Sequence, residues 1–340
     1  MRIGIVGCGS VANEEHLPTL VKMEDVEVVA VCDEVEDTVI KTAERFGIDN
    51  HFSDLTSMLE KQDMDVVDIC VPPQNHAALA VEAMNAGYHV IVEKPMAVTT
   101  EEADKMIDAS KRNNVKLSVI HNLLFNPLIM EAKSLVESGA VGDLLGVDIK
   151  WPVHAPPNKS HWTYTLPGKT IGETLSHPIY LMLAFLHNVN EVRVFKRKLR
   201  GNDLMPVDEV KIILNAENGI GTISLSANLP VLKAARTIDI IGTEAALHGS
   251  IYTATLIKHK FNNDSSISMA MDNISSSFQL LKETASASLR ALRKFPSSHQ
   301  IIIHRIINNL LNNKEPPVSL EEARETIRIT EIICKEIESQ

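Results

Sequence analysis

Along the first third of the chain, apolar and polar positions alternate between two rhythms. Residues 2–7 (Arg-Ile-Gly-Ile-Val-Gly), Val26–Val31, Val66–Val71, His89–Val92 and Leu117–Ile120 are short, almost continuous apolar runs. Such runs predict strands buried on both faces. Between them lie helical spacings: one from the glycines after residue 6 to about Val21, Glu36–Phe46 stopped at Gly47, and alanine-rich Ala77–Ala86 ending at Gly87. Thr99-Thr100-Glu101-Glu102 reads as a capping box, with Thr99 as N-cap, opening a helix to about Asn113. Strands and helices in strict alternation predict an α/β domain built on a doubly wound parallel sheet.

Near Gly142 the rhythm changes. Leu144–Trp151, Val192–Leu199, Val210–Asn215, Gly221–Ala227, Thr237–Ile241 and Ala246–Ile251 read as strands, with Asn218-Gly219 as a hairpin signal. One helical stretch, Ile171–Leu186, precedes most of them, and a second capping box, Ser319-Leu-Glu-Glu322, opens a final helix to about Glu338. The expectation is a C-terminal α+β domain with a large, mostly antiparallel open sheet over residues 122–340, following an N-terminal domain over 1–121. Residues 262–297, rich in Ser, Asn, Ala and Leu, are the least legible stretch.

Charge and composition narrow the function. The 340 residues carry 33 Lys and Arg against 44 Asp and Glu, a net charge of −11. An acidic chain lacks the clustered cations that phosphate neutralisation requires, which argues against nucleic acid as a partner. No apolar run approaches a membrane span. Cys8, Cys32, Cys70 and Cys334 form no CxxC pair, and the expectation is free thiols in the cytoplasm. Ile5-Val6-Gly7-Cys8 has the look of a lipoprotein cleavage box, but the apolar stretch before it is too short for a signal peptide. The thirteen histidines show no ligand spacing, so no metal is expected.

Gly7-Cys8-Gly9-Ser10-Val11-Ala12 is a G-x-G-x-x-A string between a predicted strand and helix. There, Gly7 permits the tight turn, Gly9 lets the backbone approach a pyrophosphate, and Ala12 allows close helix–strand packing. Asp33 ends the second strand about 20 residues on, where a carboxylate accepts ribose hydroxyls. Glu34, Glu36 and Asp37 follow, with no Arg or Lys before Lys41, so NAD is expected rather than NADP. Glu93-Lys94-Pro95 directly follows the His89–Val92 strand, at the strand end where parallel sheets bind ligands. A lysine there can be made a usable acid or base by its surroundings.

The G-x-G-x-x-A start, the E-K-P string and Pro72-Pro73-Gln74-Asn75-His76 together resemble the Gfo/Idh/MocA oxidoreductases, the glucose–fructose oxidoreductase and inositol dehydrogenase family. Gly139-Ala-Val-Gly142, Pro167-Gly168 through His177, and Pro316-Pro317-Val318-Ser319 extend the likeness through most of the chain. The resemblance implies a Rossmann domain and a dehydrogenase of sugars, nucleotide sugars or cyclitols, with NAD as cofactor. It implies Lys94, His177 and Glu173 as catalytic residues, with Glu173 standing where the family more often has Asp. An i,i+4 spacing allows Glu173 to orient His177, or its longer arm to reach substrate. The implied cofactor contacts are Gly7, Gly9, Ser10, Val11, Ala12, Asp33, Pro72, His76, Glu93 and Lys94. Lys94, Asn122, His161, Trp162, Tyr164 and His177 are the implied substrate contacts, the aromatic ones within the polar stretch His154, Asn158, Lys159, His161, Trp162, Tyr164. Leu124-Phe125-Asn126-Pro127 lacks the Arg of the family's R-F-x-P. A homodimer or homotetramer is expected, since an open sheet offers a face to bury. Two other readings stand beside this one: an NAD-binding regulator without chemistry, and an NAD-assisted glycoside hydrolase.

Overall fold

A computed structural model of the chain describes residues 1–156, 158, 160–200, 205, 207–228, 236–261 and 265–339. Lys159 lies outside the described residues. Two compact units form, one from Met1–Asn122 with Ser297–Arg328, the other from Leu123–Pro296 with Ile329–Gln340.

In the first unit, β1 (Arg2–Val6), β2 (Glu27–Cys32), β3 (His51–Phe52), β4 (Val66–Ile69), β5 (His89–Val92) and β6 (Leu117–Val119) pair in parallel, in the order 3-2-1-4-5-6. This is the doubly wound Rossmann-type arrangement, and its order reverses between β1 and β4, where such sheets open a crevice for ligands. The helices are α1 (Leu17–Leu20), entered through a π-helical turn at Ala12–His16, then α2 (Glu36–Phe46), α3 (Leu55–Lys61), α4 (His76–Asn85) and α5 (Thr100–Asn113). Local chemistry sets their ends. Gly47 stops α2 in the left-handed region at φ 67°, and Thr99 and Glu102 form both bonds of the capping box on α5. Residues 297–328, placed in the second domain from sequence, belong here instead. Helix α9 (Ser298–Leu311) buries Ile302, Ile303, Ile306 and Ile307 and packs on α1 and its π turn.

The second unit holds α6 (Pro127–Glu137), β7 (Leu144–Pro152), α7 (Lys169–Leu183), β8 (Val189–Arg197), β9 (Glu209–Ala216), β10 (Gly219–Ser226), β11 (Thr237–Gly242), β12 (Ala245–Ser250), β13 (Thr255–Lys260) and α8 (Ser266–Leu292). The last helix, α10 (Leu320–Glu338), begins in the first unit and ends in the second. The sheet order is 13-12-11-7-10-9-8, antiparallel except where β7 pairs with β10. Ile149, Ile212, Leu214, Ile223 and Ile240 alternate inward and bury themselves with Ile171, Leu175, Ile179 and Met182 of α7 in one core. Their neighbours on the other face, among them Phe195, Ile213 and Ile220, are exposed. Among the described residues no helix is long and apolar enough to cross a membrane.

Candidate functional site

Gly7 leaves β1 at φ 95°, and a Cβ there would stand 2.7 Å from the carbonyl carbon of Cys70, so only glycine lets the ends of β1 and β4 lie this close. Gly9 has the opposite surroundings: nothing lies within 4 Å of the place its Cβ would take. Gly9 and Ser10 are exposed, Val11 is half-buried and Ala12 is buried. The loop therefore presents bare backbone, followed by helical turns, to whatever approaches it, an arrangement suited to a phosphate group. Asp33 stands at its edge, its Oδ2 accepting the Cys8 N–H at 2.8 Å and its Oδ1 the Val35 N–H at 2.9 Å. Exposed Glu34, Glu36 and Asp37 continue the acidic rim. These residues fit a dinucleotide.

The E-K-P turn rests on a buried polar cluster. Glu93 is buried, and its Oε1 lies 3.1 Å from His16 Nε2 and 3.5 Å from His299 Nε2. Its Oε2 accepts the backbone N–H of Lys94 at 3.0 Å. On its other side His16 Nδ1 meets Asp68 Oδ2 at 2.7 Å. Burial is the largest effect on His16 and opposes its charge, but Asp68 and Cys70 together outweigh it and hold the ring well above its usual range. Burial likewise disfavours the Glu93 carboxylate, and the hydrogen bonds from His16 and His299 reverse this and draw it well below the usual range. The His16 ring thus lies between two carboxylates that favour its charged form, next to the E-K-P turn. His16, Asp68 and Cys70 bring potential metal-ligating atoms within 4.8 Å of one another, a grouping that sequence spacing did not suggest. Both nitrogens of His16 already serve carboxylates.

Several residues expected to touch ligand are buried ties. Pro72 leads into a short 3₁₀ turn, Pro73–Asn75, and His76 beyond it is completely buried. Its Nδ1 lies 2.8 Å from the Pro95 carbonyl and its Nε2 2.8 Å from that of Val71, joining the end of β4 to the E-K-P turn. Glu93 is equally enclosed, so both can act on a cofactor only through the loops they hold. Asn122 is buried too, its Nδ2 3.1 Å from His299 Nδ1. All four cysteines are buried free thiols, each pushed up to about 12 by burial, which leaves none as a nucleophile.

In the second unit, α7 presents half-buried His177. The ring stacks on Trp151 of β7 at 5.7 Å between centroids, and its Nδ1 lies 2.7 Å from the Tyr180 hydroxyl. That hydroxyl also accepts the Leu123 N–H at 3.2 Å. Tyr180, one turn after His177, is thus a neighbour of the ring that stands beside Glu173, one turn before, which the sequence offered as orienting His177 or reaching substrate. Glu173 lies within electrostatic reach of Arg236, whose guanidinium stands 4.9 Å over the Trp151 ring. Arg236, just before β11, thus brings a guanidinium to the Trp151 ring on which His177 stacks. Trp162 and Tyr164 belong to a 3₁₀ turn, Trp162–Thr165, which His161 caps by accepting the Thr163 N–H, and the Tyr164 hydroxyl bonds the Pro156 carbonyl. His16, Asp68, His299, Tyr180, Trp151 and Arg236 escaped the sequence reading. One signal was present: Asp68 is a lone acid inside the apolar β4 run.

Comparison with known proteins decides the family. Residues 1–121 match the oxidoreductase family with an NAD-binding Rossmann fold, and residues 129–248 match the Gfo/Idh/MocA C-terminal domain. The chain belongs to the Gfo/Idh/MocA oxidoreductases. Among curated members, it is 29% identical over 266 residues to Oxidoreductase P35 of Formosa agariphila, covering 76% of this chain and 81% of that one. It is 31% identical over 236 residues to the levoglucosan dehydrogenase of Pseudarthrobacter phenanthrenivorans, covering 61% of this chain and 60%, less than two thirds, of the relative. The fold of this Gfo/Idh/MocA protein is that of the WlbA dehydrogenase from Bordetella pertussis, solved in complex with NADH and UDP-GlcNAcA. The TM-score is 0.81 at 21% identity, over 99% of this chain and 95% of that one.

Proposed function

We propose that this oxidoreductase is an NAD-dependent dehydrogenase acting on a secondary alcohol of a sugar, nucleotide sugar or cyclitol. The observation that carries the reading is Lys94, held by its own backbone on the buried Glu93 carboxylate at the carboxyl end of β5. A relative named levoglucosan dehydrogenase, and a similarly folded dehydrogenase solved with a nucleotide sugar, support the substrate class.

NAD, when bound, accepts the hydride from the alcohol carbon. Gly7, Gly9, Ser10, Val11 and Ala12 cradle its phosphates, and Asp33 takes ribose hydroxyls while the acidic rim repels a 2′-phosphate. Pro72, His76 and Glu93 shape the loops that hold it. Lys94 accepts the hydroxyl proton of the substrate. With the Tyr180 O–H donated to His177 Nδ1, an Nε2–H remains that hydrogen-bonds a substrate oxygen without transferring its proton. Glu173 offsets the charge of Arg236. His161, Trp162 and Tyr164 contact the polyol, the aromatic rings against its apolar face, and Asn122 acts through His299. Buried thiols and the exposed Phe195, Ile213 and Ile220 on the open sheet support a cytoplasmic homodimer or homotetramer.

The test is a screen of sugars, nucleotide sugars and inositols with NAD and NADP, followed by absorbance of the reduced cofactor. Turnover of a polyol with NAD is expected. Glycoside cleavage with tightly retained cofactor and no net NADH would instead establish the hydrolase reading.

A further inference from the structure

Helix α8 lies with its polar face inward. Its half-buried residues are Ser268, Asp272, Ser276, Gln279, Glu283, Ser286, Ala287 and Arg290, and the helix packs on the edge strand β13. The Gln279 side chain pairs with the Lys258 backbone in both directions, accepting its N–H at 2.9 Å and donating to its carbonyl at 3.1 Å. Ser276 Oγ lies 3.3 Å from His259 Nδ1, and Arg290 donates to the Ala254 carbonyl at 3.3 Å. The helix is thus hydrogen-bonded along the sheet edge and has no buried residue over its 27 positions.

Its apolar face points the other way. Ile267, Met271, Ile274, Phe278, Leu281 and Leu292 expose between 54% and 81% of their surface. Their separations, with Ala285 and Ser288 filling the gap, run 4, 3, 4, 3, 4, 3 and 4. That is an uninterrupted heptad seam, the narrow stripe that packs against one other helix. The exposed surface of the six large side chains is on the order of 800 Å², about what one partner brings to a standard interface. A lone monomer rarely leaves such a stripe in water.

We propose that α8 pairs with α8 of a second copy of this chain, antiparallel, about a two-fold axis near Leu281. The seam is self-complementary, as an isologous contact requires. Charge sets the direction: the first half of the helix carries only Asp272, whereas Arg290, Arg293 and Lys294 cluster at its far end. A parallel pair would bring the two cationic ends together, and an antiparallel pair keeps them at opposite ends. A lipid surface fits less well, because interfacial helices turn a cation-rich polar face to headgroups, and this polar face carries Asp272 and Glu283 against a single Arg290, with Ser276 and Gln279 bonded to β13. The contact is independent of the catalytic reading, since no residue of the seam belongs to the proposed site.

The test uses the full chain. Light scattering after gel filtration should show Phe278→Asp and Leu281→Asp falling to half the mass of the unmodified assembly, with unchanged melting temperature and NADH binding. All four native thiols are buried, so Leu281→Cys adds an exposed one and should cross-link to a covalent dimer under mild oxidation, whereas Ile267→Cys should not. Unchanged mass in both aspartate variants, or no cross-link through Leu281→Cys, overturns the pairing. Cross-linking through Ile267→Cys overturns the antiparallel arrangement. A monomeric parent chain that floats with phosphatidylcholine vesicles, and loses this on Phe278→Asp, overturns the proposal in favour of a membrane.

Discussion

Glu93 and His16, 77 residues apart in sequence, meet at 3.1 Å inside the first unit, and the second oxygen of that carboxylate holds the backbone of Lys94. Breaking a buried ion pair by removing one partner costs about 3–5 kcal/mol. His16→Gln should therefore lower the melting temperature by about 10 °C and weaken turnover through a displaced Lys94. The pH dependence follows from the two shifts. The His16 value is raised, so its stabilisation is complete below about 6.5 and is lost as pH climbs through the raised value. The Glu93 value is depressed, so its stabilisation is present above about 4.5 and is lost as pH falls through the lowered value. The gap between parent and variant should be widest from about pH 4.5 to 6.5 and close on the alkaline side. Melting curves across pH check this; a gap that widens toward alkaline pH contradicts a charged ring.

Lys94→Ala should lower kcat by roughly 10²-fold or more, the usual scale for losing an acid–base group, while NADH binding and folding survive. Near-normal turnover in a folded variant would leave the E-K-P turn a purely structural element.

The cofactor preference is expected to lie with NAD by at least about tenfold in kcat/KM, about 1.4 kcal/mol. Asp33→Ser should narrow the gap by removing the carboxylate closest to the ribose position. Equal use of both cofactors by the unmodified chain would contradict the role given to the acidic rim.

Tyr180→Phe and Glu173→Gln separate the two neighbours of His177. If Tyr180 fixes the ring through Nδ1, its loss should lower kcat by about tenfold or more and shift the pH dependence of kcat. Glu173→Gln should then mainly raise KM, through the unbalanced charge of Arg236. The reverse assignment of effects would restore Glu173 as the orienting group.

What the sequence made legible was local. A glycine after α2, a threonine and glutamate three apart before α5, and Asn218-Gly219 between β9 and β10 each satisfy a backbone need within a few residues, and each does so in the structure. The G-x-G-x-x-A loop and E-K-P are legible for the same reason. The cluster under Lys94 is not, because His16, Asp68, Glu93 and His299 meet only through the winding of the sheet. Arg236 stayed hidden likewise: its partner Trp151 lies on a strand paired with β11, far away in sequence. The heptad spacing of α8 is present in the chain, but its other face is serine rather than charge, so little contrast marks the helix.

The cofactor-binding unit is interrupted in sequence. Its sheet is complete by Val119, yet α9, whose buried isoleucines pack on the turn that carries His16, starts only at Ser298, and His299 reaches Glu93 from there. On the ribosome the nascent Rossmann sheet must therefore wait until Ser298–Leu311 has been made before its Lys94 turn is finished. A truncation ending after residue 122 should emerge as a collapsed, chaperone-dependent species with weak NADH affinity, and recovery of NADH binding in refolding should track docking of α9 rather than formation of the sheet.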